Sequence, residues 1–560
     1  MAKQYSLPRY PIAIDGIQVN HCKNPLCANF GVLPSEDRKG ERKRTSIGGY
    51  KIIGNKELAR FIYCKVCTKH TAMRSNRAIA QELLRFSPSL LRLNKAACPN
   101  EQCKAFGTPW SEHKTDYYLH GKTSSGEPRF RCRHCGSTFS AGVPVRRQRR
   151  PELNAEVYKL LVNKVPMRRI CEVLDINPAT LYNKLSYLDH IATEFAEKQE
   201  LKLINSGCFA KRAYVSVDRQ DHVLNWGTQL DRRNIMLGVL GAVENISGYA
   251  LALQLNFDSS LDAREVEADA INRGDYDLPL PHRHYARVWL EREYDASKNS
   301  ESDTEAEEMS ELDFKLPHSG MQVHVQYTQL ALFYHLRSLL GGFEKLRFFL
   351  DSDQGMDSAC LSAFVDKVKS RDVDVFIIRG AKTLTMSQKK TMISRANKEL
   401  ERYAADIKVS HNVDIKQLYL ISHIEAHRLA GNKGPFRYPF ADMAEPEKTI
   451  QHLTDFGDYE IDHLARLYRR ASLRGVDRFF MQVRRRISLL ERPIATANSV
   501  GRSWHGYSAY SPLVVERVLR LFRVHYNFCQ VGEDKRTPAM RLGLLDSPVS
   551  LQDLANGSRG

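Results

Sequence analysis

The sequence predicts a multidomain α/β protein in which two small metal-bound modules and a helical domain precede a mixed strand-and-helix core. Three observations lead there. A cysteine pattern occurs twice in the first quarter, a helix-turn-helix pattern follows it, and two apolar β-type runs further on each stop on aspartate. With 560 residues the chain has room for several domains and a large core. It carries no twenty-residue apolar run and no charged-then-apolar leader, so a soluble, unexported, cytoplasmic protein without a membrane partner is expected.

Charge is unevenly placed. The net charge is +18, and residues 1–150 hold 28 Lys/Arg against 10 Asp/Glu while the remainder balances at 55 against 55. A basic module joined to a neutral body implies a polyanion partner, most simply double-stranded DNA, because releasing condensed counterions favours binding whatever the base sequence. A basic surface that serves only solubility is the alternative.

Eight of the twelve cysteines fall in that basic quarter, as Cys22-x4-Cys27 with Cys64-x2-Cys67 and Cys98-x4-Cys103 with Cys132-x2-Cys135. The flanks repeat too: His21-Cys-Lys-Asn-Pro-Leu-Cys-Ala-Asn-Phe-Gly31 parallels Ala97-Cys-Pro-Asn-Glu-Gln-Cys-Lys-Ala-Phe-Gly107. Four thiolates on two tight knuckles match tetrahedral zinc, and two structural Zn²⁺ ions are expected, one in each zinc-ribbon-like module (1–75 and 76–145). Disulfides are the alternative, but nothing marks the chain as exported. The metal would replace a core that so small and polar a segment lacks.

Arg146, Arg147, Arg149 and Arg150 form a basic connector, read either as a solvated linker or as a phosphate or minor-groove contact. From Pro166 to Leu188 the pattern gives a helix, a turn at Ile176-Asn-Pro178 and a second helix. Ile170, Val173 and Leu174 are expected to face inward, as are Leu181, Leu185 and Leu188. Thr180, Tyr182, Asn183 and Lys184 would then line the outer face, where groove contacts belong. A plain helical hairpin has the same apolar pattern. The helix-turn-helix domain with its linker helix is placed at 146–205.

Arg212-Ala-Tyr-Val-Ser-Val-Asp218 opens the core as an apolar strand ending in carboxylate, followed by strand runs at 235–243 and 249–257. An acidic loop spans about 295–315. Leu346-Arg-Phe-Phe-Leu-Asp351-Ser-Asp353 repeats the first theme and leads into a helix and a further strand at 373–378. A three-strand meander followed by strand-helix-strand, with Asp ending the first and fourth strands, is the RNase H-like plan. The core is assigned to 206–380 and 461–545, with an inserted subdomain at 381–460 and a tail at 546–560. Within the insertion, 385–403 reads as a basic amphipathic helix and 417–424 as a strand.

Ser352-Asp-Gln-Gly355 resembles the second-acid motif of the DDE group, the bacterial insertion-sequence transposases and retroviral integrases. Val476-Asp-Arg-Phe-Phe-Met-Gln-Val-Arg-Arg-Arg486 is similar to the group's third-acid helix. His525-Tyr-Asn-Phe-Cys529, with Thr537-Pro-Ala-Met-Arg-Leu-Gly543 after it, resembles its closing element. The chain departs from the pattern in carrying Asp477 where most members have Glu. The resemblance implies a metal-dependent transposase that cleaves and joins DNA with two Mg²⁺ (or Mn²⁺) ions held by Asp218, by Asp353 or Asp351, and by Asp477. Asp353 fits the motif better and is preferred on the fourth strand, whereas Asp351 follows the apolar run directly. Arg484, Arg485 and Arg486 end a positive track suited to phosphates. A nucleoid-associated homo-oligomer on DNA is implied. The alternatives are a metal-dependent nuclease on the same fold and a DNA-binding regulator whose acids no longer catalyse.

Overall fold

The computed structural model describes residues 9–34, 46–47, 49–54, 60–86, 98, 100, 103–105, 110, 114–122, 128–140, 149–205, 211–227, 232–298, 314–381, 384–407, 414–431, 434–490, 494–495, 502–503 and 511–555. Arg146, Arg147 and residues 301–313 of the acidic loop lie outside them. The molecule is a mixed α/β, multidomain structure with two groups of four cysteines near its start. The first cysteine module is an antiparallel sheet built from Ser46–Ile47, Tyr50–Ile53, Phe61–Cys64 and His70–Ala72. The second has three strands, Tyr117–Lys122, Pro128–Cys132 and Thr138–Ser140.

Helix α1 (Asn76–Phe86), which falls in the span expected for the second module, packs instead into the core of the body through Ala78, Ile79 and Ala80. Its Glu82 is fully buried and charged. The carboxylate accepts from Arg85 (2.6 Å), Arg287 (2.8 Å) and the Thr328 hydroxyl (3.3 Å). Arg287 also pairs with Asp258, and Arg85 reaches Glu516 and the carbonyls of Leu255 and Phe257. Burial pushes the Glu82 carboxyl up, but the two guanidiniums outweigh it and hold it below the usual range.

Helices α2 (Asn154–Leu161), α3 (Met167–Leu174) and α4 (Pro178–Asn205) form the helical domain. The turn between α3 and α4 passes through Asp175 in the left-handed region, and Asn177 caps α4 by accepting from Thr180 N at 2.8 Å, with Pro178 as the first helical residue. Ile170, Leu181, Leu185 and Leu188 are buried. Val173 is not: it is 67 % exposed, turned aside from the α3 face that carries buried Met167 and Ile170. At 28 residues α4 is about 42 Å long, far beyond a recognition helix, and its second half is clamped to the body. Asp189 takes two bonds from Arg520 at 2.7 Å each, while Glu200 accepts from Arg523 (2.7 Å) and Tyr249 (2.9 Å).

The body is organised on a seven-stranded sheet: β1 (Arg212–Gly227), β2 (Arg232–Glu244), β3 (Ala250–Leu255), β4 (Lys345–Asp351), β5 (Val373–Gly380), β6 (Phe436–Arg437) and β7 (Lys448–His452). Their order is 3-2-1-4-5-7-6. β1 to β3 are antiparallel, β1, β4 and β5 are parallel, and β7 and β6 continue antiparallel. β3 and β4 are almost wholly buried, as expected of strands covered on both faces. One face carries an aromatic row, Tyr214, Phe349, Phe376 and His452, with adjacent rings stacked or tilted at 4.2–6.3 Å. The other packs Phe348 against Phe333 of α5 (Val325–Leu339), a few residues ahead of α6 (Met356–Ala363). Gly355, at φ 86°, turns the chain from β4 into α6. Between β5 and β6 stand helices Met386–Ile407 and Ile415–Leu429. The second covers the stretch expected to be a strand: Asp414 caps it, and Tyr419, Leu420 and Ile424 are buried at helical spacing. Helix α7 (Arg474–Arg486) lies over β1 and β2, and α8 (Pro512–Val524) runs beside α4.

The end of the chain repairs an irregularity in the sheet. The β2–β3 register slips between Ala250 and Ala252, and Asn527 meets the Ala250 peptide on both sides, accepting from its N–H (2.8 Å) and donating to its carbonyl (2.9 Å). Arg541 also donates to the Ser247 carbonyl from the segment that Thr537 caps.

Replacing Glu82 by Ala would leave Arg85 and Arg287 buried without their shared carboxylate, a loss on the order of 3–5 kcal/mol. It should appear as earlier proteolysis between α1 and the body and a lower urea midpoint.

Candidate active site and metal centres

Both cysteine groups are assembled. Cys22, Cys27, Cys64 and Cys67 place their sulfurs within 4.8 Å of one another, and so do Cys98, Cys103, Cys132 and Cys135. The closest pairs are Cys22 with Cys67 (3.5 Å) and Cys98 with Cys135 (3.3 Å). Each knuckle offers N–H donors to sulfur: Asn29 N points at Cys27 and Ala105 N at Cys103, both at 3.4 Å. Burial pushes the Cys98 thiol up to about 12, whereas hydrogen bonds from Ser137 draw Cys135 down to about 6. Two soft four-thiol sets of this shape can each hold a structural zinc ion.

One partner of these sites was not picked out from the sequence. Tyr50 stands across the ladder from Cys64, and Tyr117 stands in the same relation to Cys132. Each phenol oxygen accepts from the backbone N–H of the module's first cysteine, Cys22 at 3.1 Å and Cys98 at 3.3 Å, and donates to carbonyls of that knuckle. The repeat therefore extends to a tyrosine that carries the first knuckle on the sheet.

In the body, the sheet brings three aspartates to one place. Val217 of β1 pairs with Leu350 of β4, so the next step along both strands sets Asp218 beside Asp351. β4 ends there, but β1 does not stop on Asp218 as expected: it runs on to Gly227 because residues 219–227 keep pairing with β2. Asp477 approaches from the first turn of α7. Burial raises the Asp218 carboxyl well above its usual value, the Asp351 charge adds to this, a bond from Arg219 N opposes it, and the Asp477 charge raises it further. Among the described residues the two thiol groups are the compact sets with all ligand atoms within 4.8 Å; the carboxylates are spread more widely. Three mutually repelling oxygen donors fit hard divalent cations such as Mg²⁺ or Mn²⁺ better than a soft metal.

Asp353 is held elsewhere. β4 ends at Asp351, and the turn after it carries Asp353 to Arg219 (3.3 Å) and to the Gln329 amide (3.1 Å), which also donates to the Gln354 carbonyl. The sequence favoured Asp353 by its fit to the motif, whereas the strand register sets Asp351 beside Asp218.

The seat of α7 explains two glycines. Gly241 stands opposite Asp218 on β2, and a Cβ there would come within 2.8 Å of the Phe480 ring of α7. Gly475 lies against Asn245 and Ser216, where a Cβ would meet Asn245 Oδ1 at 2.1 Å. Ser216 Oγ accepts from Val476 N (3.0 Å) and donates to Asn245 Oδ1 (2.6 Å), and Asn245 donates to the Ser472 carbonyl (3.0 Å). These contacts fix where Asp477 sits.

The candidate DNA-contact residues divide. Asn183 and Arg485 are exposed, and Thr180, Tyr182, Arg484 and Arg486 are half-buried. Arg486 donates to Asn163 in the loop between α2 and α3. Arg149 is exposed, and Arg150 donates to the Leu174 and Asp175 carbonyls at the end of α3. Lys184 does not face outward. It is 1 % exposed and donates to Asn154 Oδ1 (2.6 Å) and to the carbonyls of Arg149 (2.9 Å) and Arg150 (2.8 Å). Its charge satisfies the chain where the connector enters the helical domain.

A scan against protein-family models finds no match, and a search of curated proteins finds none either. No helix among the described residues is long and apolar enough to cross a membrane.

Two measurements follow from the geometry. The purified protein should hold two zinc ions per chain by elemental analysis, and Cys64→Ser or Cys132→Ser should each remove one and leave the other. The second concerns Asp218. With its folded pKa raised, its stabilising protonated form is complete below the unfolded value of 3.8 and is lost as pH rises through the folded value. Asp218→Asn should therefore raise the melting temperature of zinc-loaded, magnesium-free protein at neutral pH by roughly 2–4 °C, and the gain should shrink toward pH 4.

Proposed function

We propose that this chain is a DNA transposase of the DDE type, with the acid set Asp218, Asp351 and Asp477, which cleaves DNA at the ends of a mobile element and joins those ends to target DNA. The observation that carries the reading is the approach of those three carboxylates where β4 ends beside β1, with Asp218 raised by burial and then by the Asp351 and Asp477 charges. The strand order 3-2-1-4-5, antiparallel and then parallel, supports an RNase H-like core, and β7 and β6 extend it.

Each residue then has a distinct task. Asp218, Asp351 and Asp477 would hold divalent cations. Divalent cations held there would activate the attacking oxygen and stabilise the leaving one. Asp353, locked to Arg219 and Gln329, holds the turn that follows Asp351. Gly241 and Gly475 let α7 come close enough to deliver Asp477. The helical domain presents Asn183 and the half-buried Thr180 and Tyr182 toward duplex DNA, and Arg149 and Arg485 add phosphate contacts. Bringing two element ends together calls for a multimer on DNA.

The test is a cleavage and strand-transfer assay with Mg²⁺ or Mn²⁺ on labelled duplexes taken from the DNA flanking the gene. Asp218→Ala, Asp351→Ala and Asp477→Ala should each lower product formation by on the order of 10²–10³. Asp353→Asn should retain measurable turnover. Nicks without joining in the wild type would replace this reading with a nuclease, and specific binding without either product would replace it with a regulator.

A further inference from the structure

The two cysteine modules share a plan but face different surroundings. The first has a small core of its own, Cys22, Cys27, Tyr50, Ile62, Cys64 and Met73, and is also joined to the body: Ile17, Val19 and Phe30 belong to the main core, and Lys369 lies 6.0 Å from the centre of the Phe30 ring. The second closes on a small core of its own, Cys98, Ala105, Tyr117 and Cys132 with Trp110 and Phe139 around them.

Strand register lets their outward faces be compared row by row. In the first module one row is Lys51, Tyr63 and His70 and the next is Ile53, Phe61 and Ala72, with Lys51 the single formal charge of the two rows and exposed Lys65 following the strand at the place Arg133 takes in the second. In the second the matching row is Tyr118, Arg131 and Thr138, with Arg129 one step along the same strand face and Arg133 lying over the Tyr118 ring at 5.3 Å. All three arginines are exposed. Each is oriented by a neutral acceptor: Arg129 by Thr138 Oγ1 (2.9 Å), Arg131 by the Gly136 carbonyl (3.0 Å) and Arg133 by the Tyr117 carbonyl (3.4 Å). Among the described residues none of the three meets a carboxylate, and the module's described acid, Asp116, lies instead at His134 (3.0 Å). Guanidiniums held this way keep their full charge and spare donors, which suits bidentate contact with phosphate.

We propose that the outer sheet face of the second cysteine module, through Arg129, Arg131 and Arg133, binds the phosphate backbone of duplex DNA, while the first module serves as part of the body. The choice of duplex DNA rests on the transposase reading, and charge complementarity selects the face. Arg129 and Arg131, at alternate positions on one strand, stand about 6.7 Å apart, and Arg133 follows in the turn, so the three suit a line of phosphates without reading bases.

The experiment measures binding of zinc-loaded, full-length protein to a labelled duplex of arbitrary sequence across a range of KCl concentrations. The triple variant Arg129→Gln, Arg131→Gln, Arg133→Gln should bind roughly tenfold more weakly, and its slope of log affinity against log salt should be shallower by roughly 2–3. Lys51→Gln in the first module should change neither. Zinc content reports whether the second module still folds. If the triple variant loses zinc, the three single variants are compared, each expected to reduce the slope by roughly 0.9. Unchanged affinity and slope in zinc-replete variants would overturn the inference and leave the transposase reading standing. A wild type that binds no duplex at all would sink both, and the cleavage assay would then be blank as well.

Discussion

A carboxylate buried beside a second carboxylate within the central sheet, Asp218 against Asp351, is the constraint the body is built around. Asp218 and Asp351 are placed side by side by the pairing of β1 with β4, so their proximity is a property of the backbone and side-chain rotation does little to relieve it. Asp477 is brought to the same place by a helix whose approach depends on Gly241, Gly475, Ser216 and Asn245. A sheet with two faces of large apolar and aromatic side chains supplies the surplus stability that such an arrangement consumes.

The rest of the molecule is tied to that sheet by buried charge. Glu82 anchors α1, and with it the first cysteine module, to strand ends through Arg85 and Arg287. Asp189 and Glu200 anchor α4, and with it the helical domain, to α8 and β3. A buried carboxylate shared by two arginines specifies position more sharply than an apolar contact, since any displacement strands a charge. The long helix α4 thus transmits the orientation of the helical domain to the sheet as a nearly rigid lever.

Much of this was legible in the sequence, and the reasons are local. The β-branched runs before Asp218 and Asp351 announce strands, though only β4 stops on its carboxylate while pairing with β2 carries β1 on to Gly227, and the doubled spacing of Cys22, Cys27, Cys64 and Cys67 announces a four-thiol site without knowledge of the fold. What escaped depends on contacts between distant segments. Lys184 has the spacing of an outward helix residue, yet Asn154 and the Arg149 and Arg150 carbonyls draw it inward. Asp353 fits a motif by its neighbours, but its direction is decided by where β4 stops and by Gln329, which is 24 residues away. Residues 417–424 carry strand-like composition, and only packing beneath helix Ile461–Arg470 makes them helical. The tyrosines that hold each first knuckle had a signal available, their matching place one strand ahead of each C-x2-C pair.

The Asn527 amide that spans the slipped peptide of Ala250 also sets an order of events on the ribosome. The strand it completes is made 277 residues before the side chain that satisfies its backbone, and Asp477 itself emerges 126 residues after Asp351. A nascent chain can pair β1 with β4 and β5 early, but it holds two of the three carboxylates until α7 is made and an unfilled bulge until Asn527 follows. The acidic cluster therefore closes only after α7 is made, and fragments ending ahead of α7 carry the sheet without it.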